Sequence, residues 1–186
     1  TYIGQAAGSE GTGDFCVFVG MGAGENGNNT QDGTIGIGYN SLKLLTSGAG
    51  NTAVGYLAAS GLTAGINNVV MGYQAMDAAV LGESNNVAIG YDAMGAVDEG
   101  QGGGDADNNV AIGKDALKGG DFASNDRQIS GNVAIGANSL DGSGVSEIQD
   151  CVSIGYGSMH GSVTDAALGT VAIGRDALAA LTSGAA

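Results

Sequence analysis

The chain has 186 residues, with 37 glycines, no proline, 5% aromatic residues and a formal net charge of −14. That length allows one domain, but so few rings exclude an ordinary aromatic core, and the absence of proline and of a three-residue period excludes collagen. The acidic balance argues against a nucleic-acid partner, and no apolar run is long enough for a membrane span.

From its first residues the chain repeats itself. "TYIG" ends at Gly4, and the same strand-then-glycine unit returns at Gly20, Gly38, Gly55, Gly72, Gly90, Gly113, Gly136, Gly155 and Gly174, at intervals of 16 to 23 residues. Self-similarity at this period marks a solenoid, in which each unit buries its apolar face only against its neighbours. The chain is therefore predicted to be all-β, a parallel β-solenoid of about ten turns that forms one repeat domain over residues 1–186. In the second unit, "FCVFVGMGAGENG" places Gly20, Gly22 and Gly24 behind a strand. A dinucleotide fingerprint would open a long helix there. A polar loop follows instead, so no nucleotide site is expected.

The residue before each glycine is Ile3, Val19, Ile37, Val54, Met71, Ile89, Ile112, Ile135, Ile154 or Ile173. Two places earlier stand Val69, Val87, Val110, Val133, Val152 and Val171. Residues two apart on a strand share a face, so these β-branched pairs are expected to be the buried one. Between them Ala53, Ala88, Ala111, Ala134 and Ala172 point the other way. A solvent-facing strand would carry Thr, Lys or Glu. The alanines therefore predict a second cover at close range, another copy of the chain, with Ala88, Ala111, Ala134 and Ala172 as the oligomer interface.

Beyond the glycine, Tyr39, Tyr56, Tyr73, Tyr91 and Tyr156 share one column. The first four are predicted to stack at strand spacing, about 5 Å. Leu42, Met76, Met94, Leu117, Leu140, Met159 and Leu178 form a second apolar ridge, in segments that read as a strand or as a helical turn. Four places before the glycine stand Asn68, Asn86, Asn109 and Asn132. They read first as turn formers, with bonding from rung to rung as the other reading. Cys16 and Cys151 share this column. Seven rungs at strand spacing separate them by about 34 Å, too far for a disulfide, so both are expected to be buried thiols.

The later insertions carry most of the acids. "DADNN" offers Asp105, Asp107 and Asn109 at alternating positions, but Val110 and Ala116 stand where an EF-hand needs Gly and Glu. No cofactor is expected, and these three are candidates only for an adventitious Ca²⁺. "GGDFASNDRQ" sets Phe122 beside Asn125, Asp126 and Arg127, a candidate ligand-binding loop with an aromatic platform for a sugar. His160 is the only histidine and opens a Gly/Ser loop with no nucleophile marked near it. No enzymatic activity is expected.

At "NNVAIGYDAM", "NNVAIGKDAL", "GNVAIGANSL" and "GTVAIGRDAL" the sequence resembles the head repeat of YadA-like trimeric autotransporter adhesins. It equally resembles the N-x-A-I-G-x-x-A-L arrays of bacteriophage tail fibres. The resemblance implies a left-handed parallel β-roll, a homotrimer around one axis, and an extracellular place on a virion tail fibre or a cell surface. The units here are longer than adhesin repeats, so the extra residues must leave the coil as loops, which favours the phage-fibre type. The expected function is a non-catalytic fibre segment for host or surface attachment, its loops binding a cell-surface glycan or protein receptor multivalently. The alternative is a self-assembling subunit of an extracellular filament or sheath. The chain opens in mid-repeat at "TYIG" and stops at "RDALAALTSGAA". A longer array or head-to-tail stacking would each continue the period.

Overall fold

A computed structural model describes residues 1–9, 13–26, 32–97, 106–119, 128–142, 147–161 and 167–180. These residues form an all-β parallel solenoid with no helix among them. The strands are β1 (Tyr2–Ile3), β2 (Val17–Val19), β3 (Ile35–Ile37), β4 (Thr52–Val54), β5 (Val69–Met71), β6 (Val87–Ile89), β7 (Val110–Ile112), β8 (Ile129–Ser130), β9 (Val133–Ile135), β10 (Ile148–Gln149), β11 (Val152–Ile154), β12 (Ala167–Leu168) and β13 (Val171–Ile173). The main sheet has ten strands in the order β1-β2-β3-β4-β5-β6-β7-β9-β11-β13. Pairing is in register, so like stacks on like: Val110, Ala111 and Ile112 oppose Val133, Ala134 and Ile135. A second sheet, β12-β10-β8, lies within stretches the sequence presents as insertions.

The expected orientation of the main sheet is reversed. The middle residue of each strand points into the coil: Phe18, Ala53, Val70, Ala88, Ala111 and Ala134 are buried within the single chain. Ala88, Ala111, Ala134 and Ala172 therefore fill the chain's own interior and are not available as an oligomer interface. The flanking Val and Ile residues face outward. The physical reason is the narrowness of the coil. Opposite each strand runs the column three places after the glycine, Ala58, Ala75, Ala93, Ala116, Ser139 and Ser158. The two walls are close enough for Ser139 Oγ to donate to the Ser153 carbonyl at 2.8 Å and Ser158 Oγ to that of Ala172 at 3.1 Å. Val70 is accommodated on the inner wall, and otherwise Ala, Ser and Gly fill both walls. The exception, Phe18, lies where Gly24 and Gly36 make room, since a Cβ on either would come within 2.7 or 2.8 Å of its ring.

Each turn is closed by a corner that tolerates no side chain. Gly113 has φ +135°, and a Cβ there would lie 2.6 Å from backbone atoms of Gly136. The segment that follows is neither strand nor helix. It is a turn in which alternate residues take the left-handed conformation, as at Asn40 and Leu42 or Gln74 and Met76. The second of these positions holds the apolar ridge, with φ between 45° and 53° from Leu42 through Met76, Met94, Leu117, Leu140, Met159 and Leu178. Val and Ile are missing from it because a β-branched side chain in that conformation is strongly disfavoured. Leu and Met reach the interior from such a backbone at lower cost.

The asparagine column is the rung-to-rung ladder, not a set of turn formers. Asn51, Asn68, Asn86, Asn109 and Asn132 are buried and consecutive. The Asn109 Oδ1 accepts the Asn132 backbone N–H at 3.1 Å and its Nδ2 at 3.0 Å. The Asn109 Nδ2 donates to Asn86 Oδ1 at 3.1 Å and to the Ile129 carbonyl at 2.6 Å. The ladder thus fixes the chain where each insertion rejoins the coil, whatever that insertion's length. It ends on Cys151, whose N–H donates to Asn132 Oδ1 at 3.0 Å. Both cysteines are buried and no disulfide joins them. Burial pushes the Cys151 thiol above its ordinary range.

The left-handed turn itself falls one residue earlier, at Gly33, Gly50, Asn67, Asn85, Asn108, Gly131, Asp150 and Gly169. Phe15 holds the same place with φ 63° and is 88% exposed. A bulky residue there costs about 1–2 kcal/mol and, at that exposure, recovers little by packing. Phe15→Asn is expected to raise stability by about 1 kcal/mol, read as a higher urea midpoint. A lower midpoint would mean that the ring packs against the protein after all.

Candidate interaction face

The reversed sheet leaves an apolar surface outside. In the ten-stranded sheet, from β2 to its last strand β13, the outward side chains are Val, Ile, Met and Thr alone, with no charge. Exposure lies between 36% and 46% at Ile37, Val69, Met71, Ile112 and Ile135. A continuous apolar patch running the length of a sheet is unusual for a monomer, which makes this face the candidate interaction surface. The alanines, where the sequence predicts a contact between copies, lie inside the coil, and the Val and Ile residues on the opposite side of each strand lie at its surface.

One corner away runs the tyrosine ladder. The rings of Tyr39 and Tyr56 stack at 5.2 Å, Tyr56 and Tyr73 at 4.9 Å, and Tyr73 and Tyr91 at 5.5 Å, with planes within 12° of parallel. The predicted register is therefore correct. All four remain 40% to 49% exposed, through their edges. The stack ends where Lys114 replaces tyrosine, its ammonium 5.7 Å from the Tyr91 ring centroid. Arg175 lies over Tyr156 in the same way at 5.5 Å, a cation–π contact in each case.

A polar stripe borders the tyrosines. Lys118 Nζ is 2.6 Å from Asp92 and 3.5 Å from Asp115, and Lys114 pairs with Asp115 as well. The hydrogen bond to Asp92 holds the Lys118 ammonium above its ordinary pKa. Burial pushes the Asp115 carboxyl up, but the Lys114 hydrogen bond and the two lysine charges bring it below the usual carboxylate value. His160 pairs with Asp141, whose carboxyl is raised by burial. Lys118–Asp92 and His160–Asp141 link adjacent rungs, while the two pairs of Asp115 lie within one rung.

The other sequence candidates fare differently. Asn109 cannot serve Ca²⁺, because its amide oxygen is occupied within the ladder and wholly buried. Asp107 accepts the Ser84 N–H at 2.6 Å. Asp105 lies outside the described residues, as do Phe122, Asn125, Asp126 and Arg127. Among the described residues no three His, Cys, Asp or Glu side chains converge on one point. No protein family, curated protein or solved structure matches the chain.

Proposed function

We propose that the chain is a non-catalytic segment of an attachment fibre, a rigid coil of ten turns that packs in threes through its Val/Ile faces. The observation that supports this is the uncharged outer face of the main sheet, apolar from β2 to β13. A second copy has the same rung spacing, so its columns interlock with these at every rung, and burial of such area drives association. Three is the number implied by the resemblance to adhesin heads, as are the left-handed coil and the extracellular setting on a virion tail fibre or a cell surface. A fibre of this kind presents each insertion in triplicate, which converts weak loop binding to a glycan or protein receptor into firm attachment. The strong negative charge disfavours nucleic acid as that partner.

Light scattering tests this reading. The protein is expected to have the mass of three chains, and Ile112→Lys that of one chain with its sheet signal by circular dichroism retained, because the charge enters the interface and not the coil. A monomeric parent, or an unchanged mass for Ile112→Lys together with Ile135→Lys, counts against it. Long unbranched fibres in electron micrographs would replace it with the end-to-end filament.

A further inference from the structure

We propose that the cleft below the tyrosine ladder is a binding site for the ring of a neutral hexose. Two places after each glycine a side chain normally fills the groove beside the tyrosines, as Leu57, Gln74, Asp92 and Asp115 do. In the first two units this position is Ala6 and Gly22, the Asn40 amide oxygen leans over Gly22 where a Cβ would stand, and a cleft of about 180 Å³ lies among them. Its walls are Tyr39 and Met21 on one side and Glu25 and Lys43 on the other, with Gln5 and Asn40 completing the rim. Tyr39 is the terminal ring of the stack. One of its faces lies on Tyr56 at 5.2 Å, Met21 holds the tyrosine column on the rung beneath the other, and the ring presents its edge to the cleft, as its neighbours do to solvent.

The chemistry of the walls selects the ligand. A pyranose has one C–H face and a rim of hydroxyls, each both donor and acceptor. The edge of the Tyr39 ring and the Met21 thioether together form an apolar wall against which the C–H face packs. The carboxylate accepts hydrogen bonds, the ammonium donates them, and the two amides do both. Glu25 Oε2 and Lys43 Nζ are 3.6 Å apart, each 40% exposed at the side chain, so the pair offers a donor and an acceptor at the spacing of neighbouring hydroxyls. Its charges cancel, and the chain's net charge of −14 repels an acidic sugar. A neutral ring fits both conditions.

This inference deepens the attachment reading and rests on it for its setting. The test is saturation-transfer NMR and calorimetry on the full chain, with methyl glucoside, methyl galactoside and methyl mannoside as probes and glucuronate as the acidic comparator. At least one neutral glycoside is expected to bind and glucuronate is not. Tyr39→Leu is expected to weaken binding about tenfold, while Tyr73→Leu inside the ladder leaves it unchanged. Should Tyr39→Leu fail to fold, Glu25→Gln combined with Lys43→Met, both at the surface, is expected to lower affinity equally. Absence of binding by every neutral glycoside, a preference for glucuronate, or indifference to these substitutions overturns the site. Light scattering of the same samples separates the two proposals. A trimer that binds no neutral sugar overturns the cleft alone, and a monomer that binds one overturns the fibre alone.

Discussion

Ala111→Glu is expected to abolish folding of the chain, not merely to separate its copies. Ala111 is fully buried in the coil, in register with Ala88 and Ala134 above and below it. An ionised carboxylate there has no cation in reach, and leaving such a charge unpaired costs several kcal/mol. A whole domain has only about 5–15 kcal/mol of stability. In addition, the opposing wall leaves no volume for a longer side chain. Loss of the cooperative melt and of soluble protein is the expected result. Ala111→Ser should be tolerated, since Ser153 occupies the equivalent place and donates to the Ser158 carbonyl at 2.9 Å, a backbone acceptor that Ala116 also offers. A folded, soluble Ala111→Glu with an unchanged melt would place this column outside the coil and return the interface to the alanines. Together with Ile112→Lys, the pair separates the two faces of one strand: the inner residue decides folding, the outer one association.

Asn109→Ala is expected to destabilise the chain by about 2–6 kcal/mol. The truncation leaves the buried Asn132 N–H and the Ile129 carbonyl without their partner, and each unsatisfied buried group costs about 1–3 kcal/mol. The loss should be confined to the urea midpoint of the middle rungs, because neighbouring repeats couple only pairwise. Asn108→Gly is the control. Asn108 has φ 61° and is exposed, a conformation glycine adopts freely, so its replacement should barely move the midpoint. The reverse order, Asn108 critical and Asn109 dispensable, would restore the asparagine as a turn former.

Much of the fold is legible in the residue columns. A glycine returning every 16 to 23 residues, with β-branched residues before it, identifies rungs and aligns them. In-register pairing then follows, and with it the tyrosine stack, because residues in one column of a parallel coil must lie one strand spacing apart. Parts of the interaction surface are less legible. The cleft needs Gln5, Glu25 and Lys43, which come from three separate rungs and stand out in none of them. Their relation is created by small residues at Ala6 and Gly22, an absence of bulk that carries no motif. Asn109 misled as a metal candidate because its neighbours Asp105 and Asp107 suggested a loop, whereas the ladder draws that one side chain inward.

What the sequence determines by itself is which residues share a face. Strand alternation has a period of two, so Val110 and Ile112 must point one way and Ala111 the other. It cannot say which way is in. That depends on the direction in which the chain bends at Gly113, whose φ of +135° turns the backbone so that the alanine side closes against Ala116 and its column. Hydrophobicity alone favours the larger side chains inside. Tertiary structure decides otherwise: the alanine side closes against the Ala116 column within the coil, and the larger Ile112 is left at the surface.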